Sequence, residues 1–451
     1  MKWSMKSYDV IIIGGGPGGV TTALSARNTY PEKSILLVRR EETPLIPCGI
    51  PYTLHTLSSV EDDILPDKPL ENNNIDILVD EAVDIKDKTV VLKNNGEIRW
   101  EKLVLAVGSK PFTPPIPGVD KKGVYTVTKN IDELRELRRR VEEAESIVII
   151  GGGFIGVEVA DELLKKDKKV LLVEKLPSLL PLSMDKEFGE KVEEILRGRG
   201  AEVLVDATVK EFKGGETIEG IKLEDGREYP VDLVILAVGY RPNIELAQRI
   251  GLEVDPKYGI IVDEYLRTSK RDIFAVGDCT AKRSFLTGEK SKLMLASTAM
   301  AQGRLVGSNL FDVKVIKEFI GTIGTFSTKV GDTAFGATGL TEEQAKRRGI
   351  DYTVGVNEGV DRHPGKLPGA NKVYIKLLYA RYSHILLGAQ IMGGESIGEW
   401  INMLSVMVQN RMTDMEIDTL QIGTHPLLTS SPIAYPVINA TVDAIMKWFR
   451  G

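Results

Sequence analysis

The stretch Pro44–Tyr52, PLIPCGIPY, carries one of the two cysteines in a chain of 451 residues. A thiol outside any regular element can attack S–S bonds as its thiolate, provided its surroundings lower the pKa. The alternative is a buried small hydrophobe, a common fate of unpaired cysteines. Pro47, Pro51 and Gly49 argue against routine burial in a helix or strand, so Cys48 is the candidate nucleophile. Cys279 follows Gly277 and Asp278 in an apolar segment and is expected to be inert. With two cysteines a disulfide framework is excluded, and a reducing, cytoplasmic setting is favoured.

Phosphate chemistry is written twice. In YDVIIIGGGPGGVTTALSA the apolar run Val10–Ile13 precedes Gly14, Gly16 and Gly19 in the spacing GxGxxG, and helix-forming residues follow. In SIVIIGGGFIGVEVADELL the same device recurs at Gly151, Gly153 and Gly156. Glycine permits the tight turn and the close approach of backbone to a pyrophosphate, while the helix start presents free N–H groups to the anion. One such motif is weak evidence, because glycine turns also serve chain reversal; two complete units argue for two dinucleotides. Past the second motif, VLLVEK ends a strand in Glu174, where a carboxylate would hold ribose hydroxyls and repel a 2′-phosphate, favouring NADH over NADPH. Lys175 beside it weakens that preference. At the matching point of the first unit, ILLVRREE places Arg39 instead. Either Glu41 or Glu42 reaches the ribose, or Arg39 serves the adenine side by stacking or phosphate contact.

These residues need scaffolds larger than one core, and 451 residues predict two or three domains. Hydrophobic residues at 42% and charged residues at 27% describe an ordinary globular chain. A net charge of −6 gives no footprint for nucleic acid or anionic membrane. No apolar run reaches bilayer-spanning length, and MKWSMKSYDVIIIGGG enters a strand without a signal-peptide pattern. KNIDELRELRRRVEEAES reads as a solvated helix, and VVLKNNGEIRW as a hairpin turning at Asn95 and Gly96. After Phe326, the strand-like NKVYIKLLY and HILLGAQIMGG precede the helix-like SIGEWINMLSVMVQN. His55, His363 and His384 show no ligand spacing, so no metal site is expected.

TSKRDIFAVGDC adds a strand, Ile273 to Val276, ending at Gly277 and Asp278. Together with both glycine motifs, LVLAVGSKP, LVILAVGYRPN and Cys48, it resembles the FAD-dependent pyridine nucleotide–disulfide oxidoreductase family over nearly the whole chain. The resemblance is to its single-cysteine branch, which includes coenzyme A disulfide reductases, NADH oxidases and peroxidases, and persulfide reductases. It implies an α/β fold with two Rossmann-like dinucleotide-binding domains and an α+β C-terminal dimerisation domain. The expected boundaries are 1–115 and 245–318 for FAD, 116–244 for NAD(P)H and 325–451 for dimerisation.

The resemblance also implies roles. Gly14, Gly16, Gly19 and Asp278 fall on FAD positions, and Gly151, Gly153, Gly156 and Glu174 on nicotinamide-nucleotide positions. Phe154 and Glu158 fall where the family lines the nicotinamide side of the flavin, although core packing explains Phe154 as well. LMLASTAMAQGR matches a helix whose N-terminal backbone, from Ala296 to Thr298, faces the flavin pyrimidine. In two-cysteine relatives the second sulfur stands in CxxxxC; here Tyr52 and Thr53 occupy those positions, so the oxidising equivalent must reside in a mixed disulfide or a sulfenic acid on Cys48. The low pKa of that thiol is expected from the short helix that follows and from the flavin. The family's proton donor comes from the partner subunit, and TLQIGTHPLLTSSPIAYPVINA provides His425 first and Tyr435 second. The implied activity is NAD(P)H-dependent reduction of a small disulfide or persulfide by a homodimer, free of nucleic acid and membrane. An oxidase or peroxidase is the alternative, and an electron carrier needing no thiol a third class. Coenzyme A stays open, because KPLENNNIDI carries little positive charge and Arg27 is the main basic candidate for its phosphates.

Overall fold

The protein is described here by a computed structural model covering residues 7–450. The reading that no leader pattern occupies the first residues therefore lies largely outside the described residues. The chain divides into two compact units: one takes residues up to 114 with 125–143 and 238–322, the other 115–124, 144–237 and 323 onward.

In the first unit, strand Ser7–Ile13 is sandwiched between Ile35–Arg39 and Gly96–Leu105, parallel to both. Continuous apolarity fits a strand covered on both faces. Alternate side chains feed separate cores: Ile11 and Ile13 join Leu36, Val38, Leu103 and Leu105, whereas Val10 and Ile12 join Ile35, Leu37 and Val104. The sheet runs Asp76–Val79, Ile35–Arg39, Ser7–Ile13, Gly96–Leu105, Thr89–Leu92, Ala82–Lys86, and Ile273–Ala275 also pairs in parallel with Gly96–Leu105. Helices Pro17–Thr29 and Ala296–Ser308 press together through small residues. A Cβ on Gly303 would stand 2.7 Å from the Gly18 carbonyl oxygen, and one on Gly307 2.6 Å from that of Thr22. Interior helix glycines cost about 1 kcal/mol each in propensity, which this close packing offsets.

The expected hairpin forms, displaced by one residue. Leu92 pairs with Gly96, so Gly96, at φ +75°, opens the second strand and Lys93–Asn95 make the turn. Buried Asp80 accounts for this: its carboxylate accepts from the backbone N–H groups of Asn94 and Asn95 and from both side-chain amides.

In the second unit, parallel strands run in the order Glu202–Leu204, Lys169–Val173, Ser146–Ile150, Leu233–Leu236. An antiparallel sheet follows, ordered Thr325–Val330, Thr333–Gly339, Leu386–Gly393, Lys372–Ala380, Tyr352–Val360. Helices Ile397–Gln409 and Pro436–Arg450 pack on it. Buried Lys376 on this sheet pairs with Asp185 at 3.0 Å, Glu187 at 2.6 Å and Glu342 at 2.7 Å. The architecture is α/β, with two Rossmann-like portions and an α+β C-terminal portion. Among the described residues no helix is long and apolar enough to cross a membrane.

Candidate active site

The first glycine turn leaves strand Ser7–Ile13 with Gly14 at φ +122°, where a Cβ would strike the Ala106 carbonyl. Gly19 packs so closely that a Cβ there would fall on the Gly14 carbonyl oxygen. Gly16, the helix N-cap, faces open space and has no side-chain cap among the described residues. The helix start is thus a bare backbone cradle, which fits the pyrophosphate of FAD. Arg39 is 4% exposed; its guanidinium binds both carboxylate oxygens of Asp67 and donates to the Glu42 carbonyl at 3.0 Å. Its stem backs the loop, with Cδ 2.7 Å from where a Gly15 Cβ would be. Its Nε is buried without a hydrogen-bond partner among the described residues.

Asp278 stands in the short turn Gly277–Cys279 directly after strand Ile273–Ala275. Its Oδ2 accepts from Ser109 Oγ at 2.7 Å and Lys129 Nζ at 3.5 Å. Lys282, which is buried, braces the turn by donating to the Gly277 and Thr280 carbonyls, each at 2.9 Å. Ala296 opens helix Ala296–Ser308, whose N-cap, Leu295, supplies no side-chain cap.

Cys48 is exposed, in the turn that precedes Ile50–Leu54. That element is a five-residue 3-10 turn, too short for aligned peptide dipoles to lower a thiol pKa much. Cys279 is wholly buried, with its sulfur donating to the Val276 carbonyl at 3.2 Å, and burial pushes its thiol up to about 11. Of the two cysteines, Cys48 is thus open to solvent and Cys279 is closed off from it.

In the second unit the glycine turn has the same build. Gly151 takes φ +109°, a Cβ at Gly156 would collide with the Gly151 carbonyl, and the N-cap Gly153 faces open space. Buried Glu174 accepts from the Gly152 N–H at 2.6 Å and the Leu176 N–H at 2.7 Å, so it also shapes the loop it would serve. Phe154 stacks on Phe326 with ring centroids 4.9 Å apart. Glu158 accepts from Thr328 Oγ1 at 2.8 Å. Burial first, then the nearby charges of Asp161 and Glu162, push its carboxyl up to about 7, against the lowering hydrogen bond from Thr328. Phe326 and Thr328 gave no signal in sequence, being ordinary residues of an alternating strand.

His425 and Tyr435 are placed differently. His425 is exposed, its Nδ1 accepting from the Leu427 N–H at 3.3 Å, beside exposed Leu427 and Leu428. Tyr435 is 7% exposed and stacks on Trp400, with burial raising its phenol pKa. Arg27 donates to the carbonyls of Pro31, Lys33, Asn73 and Asn74. This basic candidate for coenzyme A phosphates is thereby committed to its own fold.

Residues 8–303 match the family described as pyridine nucleotide-disulphide oxidoreductase, and residues 325–433 match its dimerisation domain. The chain is 33% identical over 450 residues to a protein of Methanocaldococcus jannaschii named NADH oxidase, covering 97% of this chain and 98% of that one. It is 33% identical over 395 residues to the NAD(P)H coenzyme A polysulfide/persulfide reductase of Pyrococcus horikoshii, covering 86% and 87%. Among solved structures, the NAD-dependent persulfide reductase from A. fulgidus superposes with a TM-score of 0.90 at 32% identity, covering 97% of this chain and 83% of that one.

Proposed function

Because the chain belongs to the pyridine nucleotide-disulphide oxidoreductase family, we propose that it is an FAD-dependent NAD(P)H oxidoreductase that reduces low-molecular-weight disulfides or persulfides through Cys48. The observation that carries this reading is the exposed Cys48, opposed to the buried Cys279. The division of labour we propose assigns FAD to 1–115 and 245–318, the nicotinamide nucleotide to 116–244 and dimer formation to 325–451.

When bound, the flavin accepts a hydride from the nicotinamide and passes the electron pair to an oxidised sulfur. Gly14, Gly16 and Gly19 would hold its pyrophosphate on bare N–H groups, Asp278 would accept from a ribityl hydroxyl, and Arg39 supports the loop from beneath. The backbone N–H groups at Ala296, where the helix opens, would stabilise negative charge on the flavin. Gly151, Gly153 and Gly156 hold the nicotinamide nucleotide, Glu174 receives its ribose hydroxyls, and Phe154 and Glu158 flank its reactive end. Cys48 thiolate attacks one sulfur of the substrate, a new S–S bond forms to Cys48, and the departing thiolate takes a proton from the partner's His425. Cleaving the Cys48 mixed disulfide then needs an electron pair and a proton, which NAD(P)H would supply through the bound flavin, so that Cys48 returns to its thiolate and the second thiol leaves. His425 is preferred to Tyr435 because it is exposed, whereas the tyrosine is engaged in its own core. Coenzyme A disulfide, coenzyme A persulfide and polysulfide are the substrate candidates, and a cytoplasmic homodimer is the working state. NADH is the preferred donor.

The same groups serve an oxidase or peroxidase if oxygen or peroxide meets the reduced centre, and the name of the Methanocaldococcus relative favours that second reading. Anaerobic reduction with one equivalent of NADH, followed by mixing with coenzyme A disulfide, coenzyme A persulfide, peroxide or oxygen, separates them. Reoxidation at least about tenfold faster with the sulfur substrates supports the first reading. Faster reoxidation by oxygen or peroxide establishes the second.

A further inference from the structure

The turn carrying Cys48 rests on a buried carboxyl. Asp63 ends the short helical turn Val60–Asp63 and is 2% exposed. Its backbone is laced to the residues before the thiol: the Ile46 N–H donates to the Asp63 carbonyl and the Leu65 N–H to the Pro44 carbonyl, each at 2.9 Å, around a bridge between Leu45 and Ile64. The side chain lies against the residue after the thiol. A Cβ at Gly49 would fall on Asp63 Oδ1 and stand 2.8 Å from its Cγ. Oδ2 is buried without a hydrogen-bond partner among the described residues.

The charged groups on the packed elements are engaged elsewhere. Asp62 accepts from the Ser59 N–H, and Glu61 pairs with Arg135. Arg138 donates to the carbonyls of Thr53, Leu57 and Ser58, and exposed His55 ends the 3-10 turn. Asp63 Oδ2 thus lacks the hydrogen bond that a buried carboxylate oxygen normally has, and such a group beside a candidate reactive residue points to function.

We infer that Asp63 is a positioning residue for Cys48: seated against Gly49, its carboxyl holds the thiol-bearing turn and couples electrostatically to the sulfur, so that both do not carry negative charge together. The inference rests on Cys48 being the redox thiol. Burial lifts the Asp63 carboxyl to about 6. Below that pH Asp63 is neutral and thiolate formation meets no opposing charge; above it, the ionised carboxyl opposes the thiolate and moves thiol titration upward.

The test is the rate of Cys48 alkylation by iodoacetamide against pH, read by peptide mass on the flavin-loaded protein, with Cys279 as the buried control. Wild type is expected to give a curve broader than a single proton. Asp63→Asn is expected to give a one-proton curve with its midpoint about one unit lower, which is about tenfold more thiolate on the acid side. A purely structural role for Asp63 would alter flavin retention or Tm without moving the midpoint. A single-proton curve in wild type overturns the inference even where the variant does not fold, and so does an unmoved curve in a folded Asp63→Asn. Turnover of Cys48→Ser is scored separately. Its loss alongside an unmoved Asp63→Asn curve defeats this inference alone, whereas its persistence defeats the proposed function.

Discussion

At the residue scale, the candidate groups stand out in the sequence where residue type itself would carry the chemistry. Cys48, the two glycine triplets and Asp278 announced themselves by type and spacing. Their supporters did not: Thr328 lies 170 residues from the Glu158 it serves, and Ser109 lies 169 from Asp278. Chain folding alone creates those contacts. Glu158 gives a pH prediction. Its folded pKa of about 7 exceeds the ordinary 4.5, so the native state keeps a proton that the unfolded chain has lost across that window. This residue therefore costs stability as pH rises through that interval, and contributes no such cost below it. Between about pH 5 and 7.5, Tm of Glu158→Gln should fall less than that of wild type by roughly the few degrees that about 2 kcal/mol represents. Parallel Tm curves for the two proteins would reject the assignment.

At the element scale, apolar runs and glycine turns foretold both nucleotide-binding units, because burial on two faces and a tight turn each demand particular residues. The cap that displaced the hairpin, Asp80, was not foreseen, since its partners Asn94 and Asn95 look like turn residues in any case. The short helix expected after Cys48 forms as the five-residue 3-10 helix Ile50–Leu54. Close packing at Gly19 yields a prediction. Gly19→Ala places a Cβ on the Gly14 carbonyl, and relief by helix displacement should weaken flavin retention about tenfold, measured as the ratio of bound flavin absorbance to protein. Lys376→Met strips buried Asp185 and the adjoining Glu187 and Glu342 of their common cation, and a loss of about 3 kcal/mol in denaturant unfolding is expected. Unchanged unfolding midpoints would show that these carboxylates find other partners.

At the scale of the whole molecule, the sequence pattern indicated a chain built around two dinucleotides with a further C-terminal portion, but not which histidine serves which subunit. If the partner's His425 completes each site, chains carrying Cys48→Ser and chains carrying His425→Asn should each be inactive alone. Coexpressed in equal amounts, they should regain about a quarter of wild-type turnover, because half the dimers then hold one intact site. Activity that stays absent would place His425 in its own subunit's site, and His425→Asn chains that are active alone would put it outside the chemistry. Every step of the proposed substrate reduction passes through the sulfur at position 48. Its most direct test is NADH-driven reduction of coenzyme A disulfide and persulfide by flavin-loaded Cys48→Ser. The account predicts that NADH still bleaches the flavin while turnover falls by at least about a thousandfold, and undiminished turnover in that variant would contradict it.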